Sequence, residues 1–198
     1  MTNTHIAGRS SVLSLPNLLT YGRIAAVPLV ALCLVLVPGS SGRWIAVGLF
    51  VAASVSDYLD GYLARAWNQQ SELGRMLDPI ADKLLVGVVL LLLVHDGTVS
   101  GLNVFAALII LAREIAVSGL REFLAELRVK LHVTWFAKFK TAAQLAALGV
   151  LIIAPTVTPI GSVDVTVLGL GLLWIAAILT LYTGFDYLVA AVRYASAR

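Results

Sequence analysis

The chain has 198 residues, of which 60% are hydrophobic and only 13% charged, and its mean hydropathy of +0.94 is far too apolar for a soluble domain of this length. It reads as an integral membrane protein in which six spans of about 20 residues with short connections account for the chain, leaving no separate soluble domain. The net charge of +3 does not point to nucleic acid, because the cations stand beside apolar runs rather than along a polar surface or basic tail; anionic headgroups or phosphorylated substrates are the expected partners.

Residues 1–17 are expected to form an N-terminal cytoplasmic or interfacial segment of a single membrane-embedded domain, 1–198. The apolar run behind it holds Pro16, Arg23 and Pro28 and lacks the small-residue cleavage pattern of a removable signal. A first helix is predicted over 18–37, with Asn17, Thr20 and Arg23 recurring every three residues on a shared face. Cys33, the single cysteine, lies inside it and can form no intrachain disulfide. Pro38 to Gly42 reads as a turn and a second helix follows over 44–66. At its far end Asp57, Asp60, Gly61 and Ala64 share one sector, since offsets of three, four and seven residues recur on one helical face.

The third helix is predicted over 78–95 and has two candidate starts. Asp78 can cap it with Pro79 at the first helical position, or it can begin at Ser71 and make Pro79 a kink; Asp82 follows Asp78 by one turn either way. The stretch 95–101 is a turn. The fourth helix, 102–124, carries Arg113-Glu114, then Ser118, Gly119, Arg121 and Glu122, with Arg113 and Arg121 eight residues apart and near one face. The fifth, 136–154, opens with Lys138, Lys140, Thr141 and Gln144, and after the turn signals of 155–161 the sixth spans 165–190. Gly169, Gly171 and Gly184 in it read as sites of close helix contact, which are common in membrane helices. Trp44, Trp67 and Trp135 fall near span ends and read as interfacial anchors. His5, His95 and His132 are isolated and carry no metal-ligand spacing.

Six spans put both termini on one side. If that side also holds the loops near 66–78 and 125–135, it collects all of the 14 Lys and Arg residues except Arg43, and by the positive-inside rule it is cytoplasmic. The acids Asp57, Asp60, Asp78 and Asp82 then cluster at the cytoplasmic edge. Any one of them reads most simply as an interfacial partner of Arg65, Arg75 or Lys83. Four together favour a functional site, because charges inside spans are costly. Two acid-bearing helix faces that meet would build an all-oxygen site, and hard oxygen donors without thiolate or clustered imidazole select Mg²⁺, Mn²⁺ or Ca²⁺ over zinc. Two such ions about 3.5–4 Å apart clamp a phosphate during in-line displacement.

The full pattern D-x2-D-G-x2-A-R-x8-G-x3-D-x3-D runs from Asp57 to Asp82 without a departure, and it resembles the signature of the CDP-alcohol phosphotransferase family. The resemblance implies a six-helix fold, often dimeric, with a cytoplasm-facing site, two divalent cations (Mg²⁺, with Mn²⁺ as alternative), and transfer of a phospho group from a CDP-linked donor to an alcohol with release of CMP. It implies Asp57, Asp60 and Asp78 as metal ligands, Asp82 as ligand and general base, and Gly61, Ala64, Arg65 and Gly74 as CDP-binding positions.

Arg23, Arg113, Arg121, Lys138 and Lys140 are the expected cations for an acceptor that bears its own phosphate, with Asn17 and Thr20 as supporting polar groups; Arg and Lys hold phosphate oxygens by charge-assisted hydrogen bonds. The bland reading of each cation is a snorkelling side chain or a partner of Glu114, Glu122 or Glu126. The Asn17/Thr20/Arg23, Arg113–Glu122 and Lys138–Gln144 stretches resemble the branch of the family that joins CDP-diacylglycerol to sn-glycerol 3-phosphate in bacterial inner membranes. Inositol phosphate, serine or phosphatidylglycerol are the alternative acceptors. A cation-coupled transporter is the rival class, disfavoured because transporter sites lie near the midplane between broken helices.

Overall fold

A computed structural model of the chain describes residues 15–66, 72–126, 135–159 and 164–196. Among these residues there are six α-helices: α1 Leu15–Leu36, α2 Gly39–Ala66, α3 Glu72–His95, α4 Asn103–Glu126, α5 Trp135–Ile153 and α6 Val165–Ser196, with one 3₁₀ turn, Ala154–Thr156, after α5. No strand occurs among the described residues.

Three helix ends lie several residues from the sequence-based expectation: α2 starts at Gly39, α3 starts at Glu72 and α6 runs on to Ser196. The α1–α2 connection is tighter than the expected five-residue turn: α2 starts at Gly39, whose φ of 76° is open to a residue without Cβ. Gly42 lets the chain fold back closely, since a Cβ there would collide with the carbonyl oxygens of Val37 and Cys33, the latter at 2.6 Å. Of the two starts open for α3, the structure takes the earlier: the helix begins at Glu72 and carries Pro79 within it, so Asp78 is an interior residue and not the helix cap. Proline removes one backbone donor, a loss that membrane helices tolerate where side chains engage the freed backbone. The carbonyl so freed is the one four residues back; separately, Lys83 Nζ donates to the Pro79 carbonyl at 2.9 Å.

The contacts fix the sense of each helix. Thr20 near the start of α1 reaches Asp78 near the start of α3, and Arg23 reaches Asp57 late in α2. At the other end, Arg43 early in α2 donates to Asp96, just beyond α3, at 2.6 Å and to the Ile152 carbonyl at the end of α5 at 3.0 Å. Asn103–Trp174, Arg113–Thr183 and Arg121–Tyr187 contacts advance together along α4 and α6, so these two run parallel. The early turns of α1, α3 and α5 therefore meet the late turns of α2, α4 and α6 at one end of an up-and-down bundle.

The core draws on all six helices, through Val30, Phe50, Leu90, Ile110, Leu148 and Leu173 among others. Outside it, Leu32, Val51, Leu91, Leu108 and Ile178 are exposed. An apolar exterior of this extent suits lipid and not water. Among the described residues, four helices are long and apolar enough to cross a membrane, over Leu18–Leu36, Asn103–Leu124, Phe139–Thr156 and Val165–Val189. In α2 and α3 the apolar runs are shortened by charges that include Asp57, Asp78, Asp82 and Lys83.

Arg43 ties three helix ends together far from these acids. Arg43→Met is expected to destabilise the protein by about 1.5–3 kcal/mol, the usual worth of hydrogen bonds to a charged group, with any activity at the acid-bearing end of the bundle unchanged below the melting range. Thermal unfolding in detergent, beside an activity assay, checks both halves.

Candidate active site

Buried polar side chains concentrate on three helices: Thr20 and Arg23 on α1, Lys140 and Gln144 on α5, Thr180 and Thr183 on α6. A polar group withdrawn from water and lipid must find a partner, and these partners define the site.

On α1, Thr20 and Arg23 lie three residues apart and thus on one face, which packs against α2 and α3. Thr20 Oγ1 donates to Asp78 Oδ1 at 2.6 Å, and Arg23 Nη1 meets Asp57 Oδ1 at 2.5 Å. Arg23 was expected among the acceptor-phosphate cations. In the structure it pairs with Asp57, with its side chain 1% exposed, where α1 wedges beside both acid-bearing helices. The carboxylate of Asp57 is within electrostatic reach of Asp78 and of Asp82. The structure thus brings three of the four predicted acids into one electrostatic neighbourhood, two of them engaged from α1.

Hard divalent cations suit this donor set chemically: the groups are all carboxylates, drawn from two helices, and like-charged at short range. Among the described residues no three His, Cys, Asp or Glu side chains stand close enough to form a ready-made cation cage. The fourth acid, Asp60, has its side chain outside the described residues, as do Asn17, Gly61, Ala64, Arg65 and Lys138. Gly74, expected at the CDP position, is buried in α3.

Across the bundle end lies a second ionic group. Lys140 Nζ donates to Glu114 Oε1, and Arg113 Nη1 approaches the same oxygen at 3.4 Å. Lys140 is within electrostatic range of Asp82 and Arg113, so the acids and the cations adjoin. Asp82, Glu114, Lys140, Thr141 and Gln144 face one cavity of about 10 Å³, roughly what a single water needs. Gln144 is 4% exposed, and its Oε1 finds no hydrogen-bond donor among the described residues. Arg113 Nη2 donates to Thr183 Oγ1 at 2.8 Å, and Arg121 Nη2 to the Tyr187 hydroxyl at 3.3 Å.

Sequence reasoning treated Glu114 only as an incidental partner and did not include α6 in the site. A usable signal existed: Thr180, Thr183 and Tyr187 recur at three- and four-residue spacing in a helix that is apolar for most of its length.

These features define a polytopic α-helical membrane protein with a charged, partly buried site at one end of its bundle, acids on one side and basic groups on the other. The chain matches the CDP-alcohol phosphatidyltransferase family over residues 13–182 and belongs to that family, whose members generally use divalent metal ions. Among its relatives, a Rickettsia bellii protein is 44% identical, the alignment covering 91% of this chain and 97% of the relative. One from Cereibacter sphaeroides is 38% identical, with 91% and 96% covered, and one from Shigella flexneri 39% identical, with 90% and 94% covered. All three carry the name CDP-diacylglycerol--glycerol-3-phosphate 3-phosphatidyltransferase.

Proposed function

We propose that this chain transfers the phosphatidyl group of CDP-diacylglycerol to sn-glycerol 3-phosphate, giving phosphatidylglycerophosphate and CMP, on the route to phosphatidylglycerol and cardiolipin. The observation that carries this reading is the adjacency of Asp82 and the buried Lys140–Glu114 pair around one cavity. A neutral alcohol would need no buried cation beside the acids, whereas an acceptor with its own phosphate would. The free Oε1 of Gln144 offers an acceptor for a hydroxyl proton of such a substrate.

In this reading the acceptor hydroxyl oxygen attacks the phosphorus that bears diacylglycerol. The bond from that phosphorus to the CMP phosphate oxygen breaks, CMP leaves, and the hydroxyl proton passes to an Asp82 carboxylate oxygen. Asp57, Asp60, Asp78 and Asp82 would hold two divalent cations, Mg²⁺ by donor hardness, which when bound offset the diphosphate charge. Thr20 and Arg23 orient Asp78 and Asp57. Arg65 meets the donor phosphates beside the small residues Gly61, Ala64 and Gly74. Arg23, Arg113, Arg121, Lys138 and Lys140 receive the acceptor phosphate, with Asn17 and Thr20 in support.

The same reading takes 1–198 as one membrane-embedded domain with six spans and both termini cytoplasmic, its site facing the cytoplasm from a bacterial inner membrane, and the protein working as a homodimer. The expected result of acceptor profiling is CMP release from CDP-diacylglycerol and Mg²⁺ with sn-glycerol 3-phosphate, and background release with serine, inositol phosphate or phosphatidylglycerol. Preference for any of those three would replace the acceptor, and cation flux without CMP release would replace the reaction class.

A further inference from the structure

The two arginines of α4 do not stand on their own helix alone: both lean on α6. We propose that Thr183, Gly184 and Tyr187 are positioning residues that aim Arg113 and Arg121 at the phosphate of the acceptor. The inference rests on the reading above, in which these arginines bind that phosphate.

Thr183 is 1% exposed and has a single hydroxyl proton. Its oxygen lies 3.0 Å from the Leu179 carbonyl and 3.3 Å from that of Thr180, one turn back on its own helix. A carbonyl can only accept, so the proton is committed to the backbone and the remaining lone pairs face outward. Arg113 Nη2 donates to that oxygen at 2.8 Å. The direction of the contact is therefore fixed, with Thr183 receiving and the guanidinium giving.

The neighbouring position sets how close the guanidinium can lie. A Cβ at Gly184 would stand 3.1 Å from Arg113 Nε and 3.2 Å from its Cγ, tighter than ordinary packing. Glycine here gives the Arg113 stem room to lie flat along α6, and the side chain is 10% exposed in consequence. One turn further, Tyr187 is 8% exposed. Its hydroxyl accepts from Arg121 Nη2 at 3.3 Å, and its ring centroid lies 5.5 Å from Arg121 Cζ, within the range of a cation–π contact. Thr183 and Tyr187, four residues apart, share one face of α6, and α4 runs parallel to it, so one helical face seats both cations. Holding two like charges close together before the phosphate arrives is what a preorganised anion site requires.

The test uses the full-length enzyme in detergent, with CMP release measured at varied glycerol 3-phosphate and, separately, varied CDP-diacylglycerol. Thr183→Val keeps the shape and removes the acceptor oxygen; Gly184→Ala crowds Arg113. Each is expected to raise KM for glycerol 3-phosphate about tenfold, as loss of one hydrogen bond to a charged group implies, while KM for CDP-diacylglycerol stays within about twofold. Tyr187→Phe, which keeps the ring and its cation–π contact but loses the hydroxyl acceptor of Arg121, raises the same KM by about threefold. Thr183→Ser restores the wild-type value, because it returns the oxygen. Arg113→Lys serves as the reference. If it raises KM for glycerol 3-phosphate while Thr183→Val and Gly184→Ala do not, α6 is no seat and the inference falls alone. An Arg113→Lys enzyme with unchanged KM overturns the acceptor-phosphate role of Arg113 and the inference with it. Equal effects on both substrates, unrelieved by Thr183→Ser, would make α6 a packing element and also overturn the proposal.

Discussion

Asp57→Asn and Asp78→Asn each lower CMP release by at least about 10³-fold, since electrostatic stabilisation by a bound metal is worth several kcal/mol and each 1.36 kcal/mol is a decade in rate. The protein still inserts and purifies. Asparagine keeps a carbonyl oxygen of the same reach, so Thr20 still donates at position 78 and Arg23 still has an acceptor at position 57. The change is confined to charge. Asp57 is 45% exposed on its side chain, which leaves it open to a ligand even while it is paired with Arg23. Neutralising Asp78 relieves its repulsion with Asp57 and weakens the hold on a divalent cation, so Asp78→Asn should be about as stable as the parent, whereas Asp57→Asn leaves the buried Arg23 guanidinium without its counter-charge and should be less stable. Mg²⁺ titration of activity, with thermal unfolding alongside, makes the separation. Normal Mg²⁺-dependent turnover in both variants would remove the acid array from the reaction.

The acids were legible in the sequence because helical spacing is a local property. Asp57 and Asp78 announce their faces within two turns, and the long apolar runs around them leave few alternatives to helix. What spacing does not carry is the register between helices. Thr20 and Arg23 were visible as one face of α1, but whether that face meets a substrate or the acids depends on how α1 packs on α2 and α3. Pro79 shows the same limit at short range, since a proline reads equally well as the first residue of a helix or as a residue within one. The α6 contribution was hidden for a different reason. A threonine in an apolar helix satisfies itself on its own backbone, as Thr183 does toward Leu179, so the Thr180, Thr183 and Tyr187 spacing marks a face of α6 without naming its partner. Only the parallel course of α4 makes the Thr183 oxygen an acceptor for Arg113.

Lys140→Met tests the other half of the site, and it is expected to damage both stability and binding. Lys140 and Glu114 are nearly buried, at 8% and 13% side-chain exposure. Deleting one member of such a pair strands the other, at a cost of about 3–5 kcal/mol; the 3.4 Å approach of Arg113 to Glu114 holds the loss near the lower end. The single variant therefore confounds folding with function. Lys140→Met combined with Glu114→Gln removes both charges, and most of the stability should return, because neutral replacements of a buried pair are often tolerated. Activity separates the roles. If Lys140 meets the acceptor phosphate, a charge-assisted contact of about 1.5–3 kcal/mol is still missing, and KM for glycerol 3-phosphate remains about 10–100-fold above wild type in the stable double variant. Recovery of unfolding temperature and of glycerol 3-phosphate saturation together would reduce the Lys140–Glu114 pair to a packing device and leave the acceptor phosphate to the other proposed cations.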